Sequence, residues 1–238
     1  MLSIAQGELI QIFRNRLVMV TMLVLPVAFS GFYMYLQDRI PGLDAGAVAA
    51  ILLFLVMSMG LYSTVVTTLA SRRQNLFLKR LRSTAASDAR ILVGLLLPVT
   101  AIATGQSVVI LTVLGVVTEA PAHPLLLVVA VLAALTMMVG LGLATAGVTN
   151  SPDHAQVTTL PLLIGTLAVS GWVGFTGTEE LTLIKRLLPG GSATELVVGA
   201  WNGGVPLADS LLLLAPTLAW VVLALLAATR LFRWEPRH

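Results

Sequence analysis

No cysteine occurs in the chain, which excludes a disulfide framework and any thiolate metal site. Charge is almost as scarce. Asp, Glu, Lys and Arg make up 11% of the 238 residues, where a soluble domain carries about 25%. What fills the space is apolar: 57% of the residues are hydrophobic and the mean hydropathy is +0.95. Such a composition describes a membrane protein. The pI of about 9.8 could point to nucleic acid, but the net charge is only +3. Basic residues bunched at the ends of apolar runs are accounted for by orientation in a bilayer, so no nucleic-acid partner is expected.

Crossing about 30 Å of hydrocarbon takes about 20 apolar residues in a helix. Charge-free intervals long enough for that predict six spans, near 17–37, 45–71, 91–118, 125–148, 155–178 and 210–229. The first run, Leu17 to Leu36, lacks a small-x-small cleavage site after it and is read as a span, not a signal peptide. Between the fifth and sixth runs, residues 179–209 carry six charges and the breaks Pro189-Gly190-Gly191 and Gly203-Gly204. That segment is too interrupted to span and is expected to be re-entrant or interfacial. The fold class is therefore all-α, a single six-span membrane domain over 1–238.

Orientation follows from Lys and Arg, which are retained on the cytoplasmic side. With six spans, eleven of the fourteen basic residues fall on the side of the termini and of residues 71–90, and Arg39, Lys185 and Arg186 fall opposite. Both termini are expected in the cytoplasm of a cell-membrane protein. Ahead of the first span, Leu2, Ala5, Leu9, Ile12 and Phe13 recur at helical spacing while Gln6, Gln11, Arg14 and Asn15 face away. With Arg16 closing it, residues 1–16 predict an amphipathic helix lying along the inner membrane surface.

Several chemistries lack their residues. No Asp, Glu, Lys, Arg or His falls in the core of a span, so a titratable proton relay has no carrier there. The histidines are His123, His154 and His238, and none has the setting of a base beside a nucleophile. "NSPDHAQ" reads as a turn in which Asp153 can cap the following helix. No G-x-x-x-x-G-K-[ST] loop is present. Neutral polar residues remain: Ser63, Thr64, Thr67 and Thr68 late in the second run, Thr104, Gln106 and Ser107 in the third, and Thr166 and Ser170 in the fifth. Such groups usually bond helix to helix in lipid. Thr64, Thr67 and Gln106 are the candidates for a substrate path. Gly140, Gly142 and Gly147, and later Gly171, Gly174 and Gly177, predict close helix approach.

The stretch "SRRQNLFLKRLRSTAASDAR", residues 71–90, holds six basic residues and one acid. Leu78, Leu81 and Ala85 fall at i, i+3 and i+7, just after Leu76 and Phe77, which predicts a short helix with one apolar edge. Ser87 is placed to cap the third span, with Asp88 in its first turn. A loop that only set topology would need the positive charge but not the apolar edge.

"LFLKRLRSTAASDARILVG" resembles the first cytoplasmic loop of membrane subunits of type-2 ATP-binding-cassette exporters, where a Leu-Lys-Arg-Leu-Arg-Ser/Thr run forms the coupling helix. "RNRLVMVTMLVLPVAF" is similar to the first span of that family. Here Ser83-Thr84-Ala85 stands where Thr-Pro is frequent, and Arg72-Arg73-Gln74 where an acid and a glycine are common. The resemblance implies a permease, a homodimer of half-transporters, with no catalytic residues and no cofactor of its own. ATP and Mg would be bound by a separate ATPase subunit docked on Leu76, Phe77, Leu78, Lys79, Arg80, Leu81 and Arg82. Residues 179–209 would resemble the family's extracellular re-entrant helices. An apolar path suits hydrophobic or amphipathic cargo such as drugs. The alternatives are an ion-coupled carrier or channel, and a non-transporting membrane scaffold.

Overall fold

The computed structural model describes residues 2–36, 39–40, 43–83, 87–203, 206–232 and 234. Residue 37, Ala85 and Gly204, which entered the expectations above, lie outside them. Of the structure, 86% is helical, with no strand among the described residues. The amphipathic α1 (Leu2–Arg14) leads into α2, residues 16–36, in which Arg16–Met19 and Leu25–Leu36 flank a π-helical turn at Val20–Val24. Next come α3 (Ala45–Gln74) and the short α4 (Phe77–Arg82). Then follow α5 (Asp88–Val117), α6 (Pro124–Val148) and α7 (Pro152–Thr176). The chain continues through α8 (Thr182–Leu187), α9 (Gly191–Asn202), α10 (Leu207–Leu212) and α11 (Leu214–Leu231).

Among the described residues, five helical stretches are long and apolar enough to cross a membrane, and Val20–Leu36 within α2 is a shorter apolar helix. With α2 this is the all-α membrane architecture that the apolar runs predict. Among the five, α3 stands out because 89% of its apolar window is buried. Its first half, AGAVAAILLFL, is apolar on every side, and a helix apolar all round belongs in the centre of a bundle. Helices α5, α6, α7 and α9 pack around it. A second π-helical turn, Val56–Tyr62, interrupts α3 midway and packs against the one in α2.

Close approach to α6 depends on missing side chains. A Cβ on Gly142 would lie 2.7 Å from Val65 of α3, and one on Gly140 would lie 3.2 Å from Ala224 of α11. A Cβ on Gly174 would lie 3.4 Å from that of Ala47, an ordinary contact, and Gly171 and Gly177 have nothing within 4 Å, so these three do not provide the expected close approach. Two hydroxyl pairs cross the apolar core, Ser58 with Thr166 at 2.8 Å and Tyr62 with Thr145 at 3.0 Å. Each joins α3 to a neighbour without placing a charge in the membrane.

The two ends of the bundle differ. At one, α1, α4, the turn between α6 and α7, and Trp234 gather. At the other, α9 is wedged among α3, α6, α7 and α11. At 12 residues it is about 18 Å long, too short to span. Its entry turn requires glycine: Gly190 has φ +94°, and a Cβ on Gly191 would lie 1.7 Å from the Lys185 carbonyl oxygen. Hydrogen bonds then fasten α9 in place. The amide of Gly46 donates to Asn202 Oδ1 at 3.1 Å, Ala122 and His123 donate to the carbonyls of Trp201 and Ala200 at 2.9 Å, and Ser192 pairs with Thr217 at 2.9 Å. The Arg186 guanidinium makes two hydrogen bonds to Glu195, of 2.7 and 2.6 Å, joining α8 to α9.

Candidate coupling site

The site begins where α3 ends. Asn75 follows the helix, and Leu76 takes a left-handed conformation with φ +56°, which turns the chain into α4. A leucine in that region is strained by about 1–2 kcal/mol, and neighbouring contacts must hold it there. Its amide donates to the Arg73 carbonyl at 3.0 Å, and its own carbonyl accepts from Arg80 at 3.0 Å. Leu78 is fully buried, with Phe77 and Leu81 partly buried against the same core. The apolar edge read from the sequence is thus turned inward, toward the ends of α3 and α5. Leu76, 46% exposed, Lys79 and Arg80 face out. Arg82 is exposed, 3.3 Å from Asp88 and 5.2 Å from the centre of the Trp234 ring.

The basic residues of this stretch divide by use. Arg72 is held at the end of α3 by Glu8 of α1: Nε donates to Oε1 and a terminal nitrogen donates to Oε2, both at 2.7 Å. The same guanidinium bonds to Gln11 and lies 5.5 Å from the centre of the Phe77 ring. With side chains 12% and 6% exposed, the pair is largely sealed from water. Arg73 is buried and donates to the carbonyl of Thr149, just past the C-terminal end of α6, where the helix dipole favours a cation. Neither arginine is a loose surface charge. Together they tie α1, α3, α4 and the α6–α7 turn into one collar.

Glu8 is the residue that sequence reasoning missed. The apolar spacing of α1 hints at a buried face, but that face is Ala5, Glu8 and Ile12, while Leu9 and Phe13 are 39% and 54% exposed. Arg14 and Arg16 are exposed as well. The only available signal was that Glu8 is the single acid in residues 1–16. Two caps also differ from expectation. Ser151, not Asp153, caps α7, accepting from the His154 amide at 3.1 Å, and Ser87 sits at the N-cap of α5 without a side-chain bond.

The candidate path residues do not share one cavity. Thr64 is buried within the bundle, whereas Thr67 lines a small hollow of about 120 Å³ with Glu8, Gln11 and Arg72. Gln106 lies deeper, beside the π-helical turns. Its Nε2 donates to the Leu23 carbonyl at 3.2 Å, and its buried Oε1 has no partner. Among the described residues, no group of three or more His, Cys, Asp or Glu side chains converges to hold a metal.

No curated protein matches the chain. The family model for the ABC-2 type transporter matches residues 1–177, which contain α1 through α7 and the whole collar around α4. The chain thus belongs to the ABC-2 type transporter family, as a multi-pass membrane permease component that is not itself catalytic.

Proposed function

We propose that this permease is the membrane subunit of an ATP-driven exporter, and that α4 is the contact through which a separate ATPase subunit acts on it. One observation carries the reading. Helix α4 offers Leu76, Lys79 and Arg80 outward while Leu78 and Arg72 root it on α1, α3 and α5. A partner that grips the outer face would therefore move two spans and the surface helix together. An apolar side chain beside charged ones matches the apolar-core, polar-rim make-up of protein interfaces.

The remaining assignments follow from this one. The end carrying α1, α4 and the termini lies in the cytoplasm, since eleven of fourteen basic residues are on that side. ATP and Mg belong to the partner. Two copies pair to enclose the path, and the cargo is hydrophobic or amphipathic.

Co-expression with a candidate ATP-binding-cassette ATPase tests the contact. Leu76→Asp combined with Lys79→Glu and Arg80→Glu is expected to abolish co-purification of the ATPase while the permease still elutes as a folded species. Unchanged co-purification and transport would rule out α4 as the docking element.

A further inference from the structure

At the end of the bundle opposite the termini, two cavities share a wall. One is a groove of about 480 Å³ between α5 and α6, lined by apolar residues such as Val116, Val128 and Leu132 together with Thr104 and Ser107. Val116, Val128 and Leu132 are 80%, 55% and 53% exposed, so the groove opens sideways, where a bilayer would lie. The other is a vestibule of about 560 Å³ that includes Asp44, Thr118, Glu119 and Asn202. Ala120 and Trp201 belong to both.

Charge in the vestibule has one sign. Asp44 and Glu119 are exposed there, and among the described residues no Lys, Arg or His lines it. The described Lys and Arg residues of this end are engaged elsewhere. Arg39 lies 4.3 Å from the centre of the Tyr35 ring, Lys185 donates to Thr176 and to the Gly177 carbonyl, and Arg186 is paired with Glu195. His123 follows Ala122 at the vestibule's edge. Trp201, 3% exposed, stands between the two spaces, and its buried indole Nε1 has no hydrogen-bond partner. A buried indole N–H ordinarily finds an acceptor.

We infer that these two spaces form a binding site for an amphipathic organic cation, with its apolar body in the α5–α6 groove and its positive head in the acidic vestibule. An apolar wall with a few convergent polar groups is the usual make-up of a small-molecule site, and the two carboxylates select the sign of charge. As a statement about cargo, the assignment rests on the transport reading above.

The test uses the purified permease in nanodiscs of an uncharged glycolipid, with radiolabelled decyltrimethylammonium below its micellar concentration and decyl sulfate as the anion of equal chain length. Saturable binding of the cation alone is expected. Asp44 also caps α3, its Oδ1 accepting from the Ala47 amide at 2.7 Å. Glu119→Gln is therefore paired with Asp44→Asn, which keeps that acceptor, and the pair should weaken binding about tenfold, equivalent to about 1.4 kcal/mol. Val128→Trp, filling the groove from its exposed side, should weaken it at least as much. Equal binding of cation and anion, binding that does not saturate, or binding indifferent to either variant would overturn the assignment. ATPase co-purification from the same preparations separates the two readings: intact co-purification without cation binding sinks this site alone, and cation binding without co-purification sinks the transport reading alone.

Discussion

Glu8 and Arg72 meet through two hydrogen bonds of 2.7 Å, sixty-four positions apart in sequence, and fasten the surface helix α1 to the end of the central helix α3. The Phe77 ring beside the guanidinium brings α4 into the same joint.

Breaking this pair from one side leaves a charge stranded away from water. Glu8→Gln or Arg72→Ala is expected to destabilise the permease by about 3–5 kcal/mol, read as a lower unfolding temperature of the detergent-solubilised protein. Arg72→Lys should recover only part of that, because an ammonium cannot reproduce the two-pronged contact. Wild-type stability in Glu8→Gln would show the pair to be incidental.

Leu76 and Leu78 are two positions apart and face opposite ways. Leu78→Ala should cost about 2–5 kcal/mol because it opens a cavity under α4. Leu76→Ala removes a 46% exposed side chain and should leave folding nearly unchanged while lowering ATPase association. Thermal unfolding and co-purification, measured on both variants, distinguish the two effects. Equal loss of stability in both would contradict the inward orientation of α4.

Glycine at the entry to α9 can be tested against glycine elsewhere. Gly191→Ala places a methyl on the Lys185 carbonyl and should prevent α9 from seating, seen as loss of folded protein. Gly105→Ala meets nothing within 4 Å on a helix surface and should be neutral or stabilising by up to about 1 kcal/mol. A tolerated Gly191→Ala would mean that the turn is looser than its geometry implies.

Gln106 exchanges one hydrogen bond for an orphaned oxygen. Gln106→Leu should change stability by no more than about 1 kcal/mol, since the lost bond to Leu23 is offset by removing the unpaired Oε1. A large fall in unfolding temperature would assign Gln106 an essential structural role.

Much of the architecture was legible because hydrocarbon is a demanding solvent: apolar runs of span length have few alternatives. The central place of α3 could be read in a sequence apolar on all sides. What was not legible is direction and pairing. Leu78 and Leu81 mark an apolar edge, but spacing alone does not say whether that edge meets a partner or the chain's own core. Arg72 and Arg73 look like their basic neighbours, and only tertiary contact with Glu8 and Thr149 sets them apart. The π-helical turns carry no motif at all; they meet where Gly60 faces the Met22 carbonyl and Gln106 reaches the Leu23 carbonyl.

Helix α3 is about 45 Å long, and it is gripped at both extremities. Arg72 and Arg73 hold one, and Asn202 at the end of α9 receives the Gly46 amide at the other. The collar around α4 and the short helix α9 at the far end are thus joined by one helix, widened midway at Val56–Tyr62. No intermediate part separates the two ends, because the same thirty residues touch both.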